Sequence, residues 1–200
     1  MKVLSPLLGL FVFFSSLVEN TTASAQIELG GYFSAGGAFT SINSSNTILP
    51  TVDAGLIVNG RFHFAGSMSA LVPTIKADSL STDGKPLFIN FFYAGGRAEY
   101  IHNPDDFFQY GGGFLFGGGS LSFSLSNPHH NDSVEGGKPS YGFSLFEPHI
   151  NGQLRLAEGL RLHARLGWRL TFGEDSGSEP AGELGGATFF AGFRFGWFGG

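Results

Sequence analysis

The sequence predicts an all-β fold, an eight-stranded antiparallel up-and-down transmembrane β-barrel that follows a cleaved signal peptide. Three observations lead there. Apolar and polar residues alternate with period two through most of residues 26–200, and alternate side chains of a strand point to opposite faces. Short turns take turns along the chain with longer polar connections. No apolar run of helical transmembrane length follows the N-terminal one, so a membrane crossing has to be made of strands.

Residues 1–25 are set apart as a signal peptide. Lys2 gives a positive start, and "LLGLFVFFSSLV" (7–18) is apolar but too short to span a bilayer as a helix. "ASA" (23–25) then supplies a small-x-small cleavage site after Ala25, leaving Gln26 as the new N-terminus. Residues 26–200 form the second unit, a single barrel domain.

Composition fits an exported barrel. The chain has 32 glycines, 23 phenylalanines and only 14% charged residues. It has no cysteine, which excludes disulfides, a lipid-anchored N-terminal cysteine and any thiolate metal site. A net charge of −5 leaves no basic stripe for nucleic acid.

The strands follow in order. The first, 27–42, sets Ile27, Leu29, Phe33, Ala35 and Phe39 opposite Glu28, Ser34 and Thr40. The second, 50–64, sets Val52, Leu56, Val58, Phe62 and Phe64 opposite Asp53, Asn59, Arg61 and His63. "AGS" (65–67) is read as the tight turn into a third strand, 68–77, which Pro73 weakens by removing a ladder donor. The fourth, 87–101, places Phe88, Phe92, Ala94, Ala98 and Tyr100 opposite Arg97 and Glu99.

"HNPDD" (102–106) turns the chain into a long, glycine-rich fifth strand, 107–126. The sixth, 140–156, sets Phe146, Ile150, Leu154 and Leu156 opposite Glu147, His149, Asn151, Gln153 and Arg155. After "AEG" (157–159), the seventh strand, "GLRLHARLGWRLTF" (159–172), carries its leucines and Trp168 on one parity. Arg161, His163, Arg165 and Arg169 lie on the other. The eighth is 186–198. Longer polar connections are expected near 43–49, 78–86, 127–139 and 174–185. Short turns at one end and long loops at the other, with an even strand number, are the layout of transmembrane barrels.

Which face looks inward follows from two costs. An arginine at the lipid-facing midplane costs about 2–4 kcal/mol, so the arginine parity belongs in the lumen. The aromatics near strand ends are Tyr32, Phe62, Phe64, Phe88, Tyr100, Phe108, Tyr110, Phe172 and Trp197. They would crowd a small barrel's interior but suit the interfacial girdles outside one.

The expected lumen charge network is Glu28, Arg61, Arg97, Glu99, Arg155, Arg161, Arg165 and Arg194, toward the short-turn half. Arg97, Arg161 and Arg165 are expected inside with Glu99 and Glu28 among their nearest partners, and Arg155 and Arg194 approaching the same cluster. Two readings stay open. The charges pair into a plug, or the excess of arginine lines a narrow, anion-favouring pore.

"FAGFRFGWFGG" (190–200) resembles the assembly signal that ends many outer-membrane barrels, a glycine followed by two hydrophobic or aromatic residues at alternating positions. Gly192, Phe195 and Trp197 fit that pattern. Phe190 stands where those proteins tend to have a polar residue, and Gly199–Gly200 trail past the usual terminal aromatic. With its alternation and its turn asymmetry, residues 26–200 resemble the small eight-stranded bacterial outer-membrane barrels of the outer membrane protein A and X groups.

The resemblance implies a location in the bacterial outer membrane and a monomer inserted by the barrel-assembly machinery. It implies outer-membrane lipids and lipopolysaccharide as partners. Such families include structural anchors, adhesins, narrow channels and lipid A enzymes, so the fold alone does not set the function.

Three further motifs carry less. "NPHHNDSVEGG" (127–137) gathers His129, His130, Asp132, Ser133 and Glu135. The lipid A deacylases of this architecture use a His-x-Ser pair, and that spacing is absent here. Glu174, Asp175, Glu179 and Glu183 make an acidic loop able to gather divalent cations, without the ligand order of a calcium loop. The glycine triplets 111–113 and 117–119 lack the lysine of a phosphate cradle and suit bending and close packing across a lumen. No catalytic, cofactor-binding or metal-binding residue is assigned. The reading is a structural or surface-interaction barrel, not an enzyme; the alternatives are the narrow anion-favouring channel and, against the missing spacing, a lipid A hydrolase using His129 or His130 with Ser133.

Overall fold

The computed structural model describes residues 27–42, 45–71, 76–80, 86–124, 141–173 and 184–198, with backbone alone for 76–80, 86–88, 123 and 124. Its strands are β1 (Leu29–Ile42), β2 (Ser45–Val58), β3 (Phe62–Ala70), β4 (Lys76–Leu80) and β5 (Pro86–His102). They continue as β6 (Phe108–Ser124), β7 (Tyr141–Ala157), β8 (Leu160–Gly173) and β9 (Gly186–Trp197). Each pairs antiparallel with its neighbours, and β1 returns to β9 from Gly31↔Trp197 to Thr40↔Thr188. β3 pairs with β5 from Phe62↔Tyr100 to Ala70↔Phe92, which closes the sheet on itself. β4 follows β3 along the same flank of β5, with Lys76 opposite Phe88. Together β3 and β4 make one stave. The result is a closed barrel of eight staves.

The second and third strands sit differently from the sequence reading. β2 ends at Val58 and the turn is Asn59–Gly60–Arg61, while "AGS" (65–67) lies inside β3, paired with Asp53, Ala54 and Gly55. Asn59 and Gly60 have φ of 52° and 65°, and the Arg61 N–H donates to the Val58 carbonyl at 3.2 Å. That is the mirror-image turn whose twist suits a hairpin, and Asn-Gly is its preferred sequence. Three residues separate the pair Val58↔Phe62, so Phe62 and Phe64 keep the outward parity of Val52 and Leu56.

The predicted loop 43–49 is also shorter. β1 and β2 stay paired as far as Ile42↔Ser45, because Ile48 and Leu49 continue the alternation, one outward and one fully buried. The asymmetry of connection length therefore rests on the segments between β6 and β7 and between β8 and β9.

The two faces divide as lipid cost requires. Leu166 and Trp168 are 54% and 57% exposed, whereas Arg165 and Arg169, which flank them, are 5% and 1% exposed. The same outward parity exposes Leu29, Phe33, Phe64, Phe116, Ile150 and Phe195 around the wall. Water would not favour so continuous an apolar surface, and acyl chains would. Tyr32 departs from the expected girdle. It points inward and is buried, its ring 4.2 Å from the Arg194 guanidinium carbon. No helix of the described residues is long and apolar enough to cross a membrane.

The interior has three storeys. Toward the long-loop end it is an apolar core, including Ile42, Leu49, Ile89, Phe91, Leu115, Leu121, Phe143 and Leu145. Phe91 stacks on Phe143 with centroids 5.3 Å apart. The charges fill the middle. Tyr32, Ile57 and Phe198 form a largely apolar floor toward the short-turn end.

Candidate functional site in the barrel lumen

Inward parity delivers the charges from five walls of the barrel. β2 supplies Asp53, β5 supplies Arg97 and Glu99, and β7 supplies Glu147 and His149. Arg161, His163, Arg165 and Arg169 come from β8, and Arg194 from β9. All of these side chains are buried. Charges taken this far from water hold only when paired and hydrogen-bonded, and the pairing is extensive.

Glu99 is the hub. Its Oε2 accepts from Arg194 Nη2 at 2.9 Å, and its Oε1 lies 3.1 Å from His149 Nε2 and 3.8 Å from Arg165 Nη1. Asp53 shares that Arg165 nitrogen, with Oδ2 accepting from Nη1 at 2.8 Å. Its Oδ1 accepts from Ser67 Oγ at 2.6 Å and lies 3.6 Å from Arg97 Nη2. Arg97 Nη2 in turn donates to Ser67 Oγ at 3.1 Å. Arg165 therefore reaches across the lumen from β8 to two carboxylates, on β2 and β5, the two strands that flank β3, and Arg194 Nη1 also reaches His63 Nδ1 at 2.9 Å.

A second group sits under the apolar storey. Arg169 donates through Nε to Glu147 Oε2 and through Nη2 to the Tyr93 hydroxyl, both at 3.1 Å. Near the floor, Arg161 donates to Gln109 Oε1 at 2.6 Å and lies 3.7 Å from the centre of the Phe198 ring.

Glycine makes the hub possible. Gly113 of β6 is in register with Glu99 on one side and His149 on the other, so those two side chains meet over a position that carries none. A Cβ there would collide with the Ala98 carbonyl oxygen.

Of the residues expected in the network, Arg97, Glu99, Arg161, Arg165 and Arg194 are buried in the lumen. Glu28 and Arg61 are not in it. Both are exposed, Arg61 because it belongs to the turn that the misplaced strand end concealed, and Glu28 because it precedes β1. Arg155 is half-buried at the rim and donates to the Pro104 carbonyl at 3.0 Å, not to the cluster. Asp53, Glu147 and Arg169 belong to the network although the sequence reading left them outside it. So do His63, His149 and Ser67. Except for Ser67, which the sequence places in a turn, their inward parity is legible, but the pairing across the barrel has no signal in a single strand.

Phe195 and Trp197 face outward, and Gly192 faces inward against β1, where a Cβ would collide with the Ala35 carbonyl oxygen. Ala25, the His129–Glu135 loop, Pro73 and the acidic residues 174–183 lie outside the described residues. Among the described residues, no group of three or more histidines and carboxylates is arranged to hold a metal ion.

No family model matches the chain. No curated protein matches it by sequence. Solved structures do match in shape. Ail, the attachment invasion locus protein of Yersinia pestis, in complex with the heparin analogue sucrose octasulfate, superposes with a TM-score of 0.52 at 11% identity. The match covers 86% of this chain and 99% of that one. Neisserial surface protein A superposes with a TM-score of 0.52 at 12% identity, over 84% of this chain and 96% of that one. This is the fold of the small eight-stranded outer-membrane barrels. At such identities the likeness carries the fold and leaves the lumen chemistry to this chain's own residues.

Proposed function

We propose that this protein is a monomeric bacterial outer-membrane barrel. It is exported by the segment cleaved after Ala25 and inserted through the C-terminal pattern Gly192, Phe195 and Trp197. Its role is structural or surface-interacting, with no catalysis and a lumen closed to solutes. The observation that carries the closed lumen is the apolar storey. Ions would have to pass Phe91, Phe143 and Leu145, buried and packed together toward the long-loop end, and a dewetted constriction is a barrier to conduction.

The interaction surface then lies on the segments 125–140 and 174–183. Ail is described in complex with a sulfated sugar. Segments 125–140 and 174–183 of this chain carry Asp132, Glu135, Glu174, Asp175, Glu179 and Glu183 against a single Lys138. That balance suits a cationic partner, or lipopolysaccharide phosphates bridged by divalent cations, better than a polyanion.

A narrow anion-favouring channel is the second reading. The observation in its favour is that five buried arginines in the lumen face three buried carboxylates among the described residues. Reconstitution in a planar bilayer separates the two. The closed reading expects membranes holding folded barrel to stay at baseline current. Steady anion-selective steps from the wild type would replace it with the channel.

A further inference from the structure

We propose that the lower lumen holds a small monovalent anion of chloride size, bound by Arg161 with Gln153 and His163. Four observations meet at this point. Arg161 is buried, yet it is the one buried arginine among the described residues with no carboxylate within ion-pair distance; Arg97, Arg165, Arg169 and Arg194 each have one. Its partners are the neutral Gln109 amide and the Phe198 ring.

It also stands between two like charges. Arg155 is directly opposite it on β7, and Arg194 directly opposite on β9. Like charges facing each other across a ladder repel. Of these three guanidiniums only Arg194 has a carboxylate among the described residues, and that one, Glu99, is shared with Arg165. Asp105 and Asp106 on the nearby turn are exposed, and Asp105 acts on Arg161 only from beyond ion-pair distance.

Uncommitted donors are adjacent. Gln153 and His163 face each other across β7 and β8, two positions from Arg155 and Arg161 on the same inward face. They are 1% and 0% exposed. Both polar atoms of each side chain, together with Arg161 Nε, lack a hydrogen-bond partner among the described groups. Buried polar groups in native proteins are partnered. A neutral imidazole always keeps one N–H, and an amide keeps two. The donors are therefore an amide, an imidazole and a guanidinium, with no carboxylate among them. That set selects an anion over a cation. The floor of Tyr32, Ile57 and Phe198 limits it to a small one.

The test is a halide titration of the refolded full chain in detergent, with chloride exchanged for gluconate at constant ionic strength. The expected result is a saturable rise of the urea unfolding midpoint with chloride, as for any ligand of the folded state. The rise should be absent in Arg161→Gln and at least tenfold weaker in Gln153→Leu, which keeps every charge should the arginine variant fail to fold. Crystals grown in bromide should show an anomalous peak beside Arg161 and His163. A midpoint indifferent to chloride, an equal response in the folded variants, or bromide only at the surface would overturn the site. A conducting wild type would sink the closed lumen while leaving this titration to decide the site.

Discussion

Glu99 and His149 are hydrogen-bonded at 3.1 Å across Gly113, from strands that are not neighbours in the sheet. The same carboxylate holds Arg194 and approaches Arg165, so one acid on β5 ties together β7, β8 and β9. Replacing it with the neutral isostere strands several buried donors at once. Glu99→Gln is expected to destabilise the folded barrel by about 3–5 kcal/mol, the range for breaking a buried ion pair from one side. Urea titration of the heat-modifiable gel form measures it. A loss under about 1 kcal/mol, typical of exposed pairs, would mean that water reaches Glu99 freely.

Gly113 gives a second prediction. A methyl group there meets the Ala98 carbonyl oxygen and the Glu99 Cα, backbone atoms that cannot turn aside. Gly96, on the outward face of β5, has open space where its Cβ would stand. Gly113→Ala is expected to lower the unfolding midpoint clearly, whereas Gly96→Ala leaves it unchanged or slightly raised by the lower chain entropy of the unfolded state. Equal effects would show that the glycine run serves strand flexibility in general and not the contact above it.

Much of the fold was legible because lipid forces one face of every strand to be apolar, and parity is insensitive to where a turn falls. That is why Asp53 and His63 kept their inward side even though the hairpin between them was misplaced. The apolar storey was not legible. In "INFFYAGG" Phe91 and Tyr93 point in and Phe92 points out, and alternation carries no contrast when both faces are aromatic. The network was half legible for a related reason. Parity says that Arg165 points inward, while its bond to Asp53 joins residues 112 positions apart.

The hairpin that displaced the predicted turn has its own signature. Asn59 caps it, with Oδ1 accepting from the Glu28 N–H at 3.1 Å and its own N–H donating to the Glu28 carbonyl at 2.8 Å. Gly60 occupies the left-handed region at φ 65°, where a β-branched residue is strained. Gly60→Val is expected to cost about 1–2 kcal/mol and to slow refolding into micelles, since the turn sets the register of β2 on β3. An unaltered midpoint would mean that the hairpin tolerates another turn type.

The last prediction returns to the wall of β8. Leu166 lies near the middle of that strand and faces outward, while Leu29 faces outward at the very start of β1. If acyl chains surround the barrel, the cost of a charge on its surface depends on depth, from about 2–4 kcal/mol for arginine at the midplane to about 0–1 near an interface. Leu166→Arg is therefore expected to shift folding into phospholipid vesicles by the larger amount, and Leu29→Arg by the smaller. A barrel bathed in water has no depth, and both arginines would sit on it at negligible cost. The comparison needs no knowledge of loops or partners, because both variants leave the lumen untouched and differ only in where along the wall the charge is placed. Equal and small effects in vesicles would remove the membrane from the account of this chain.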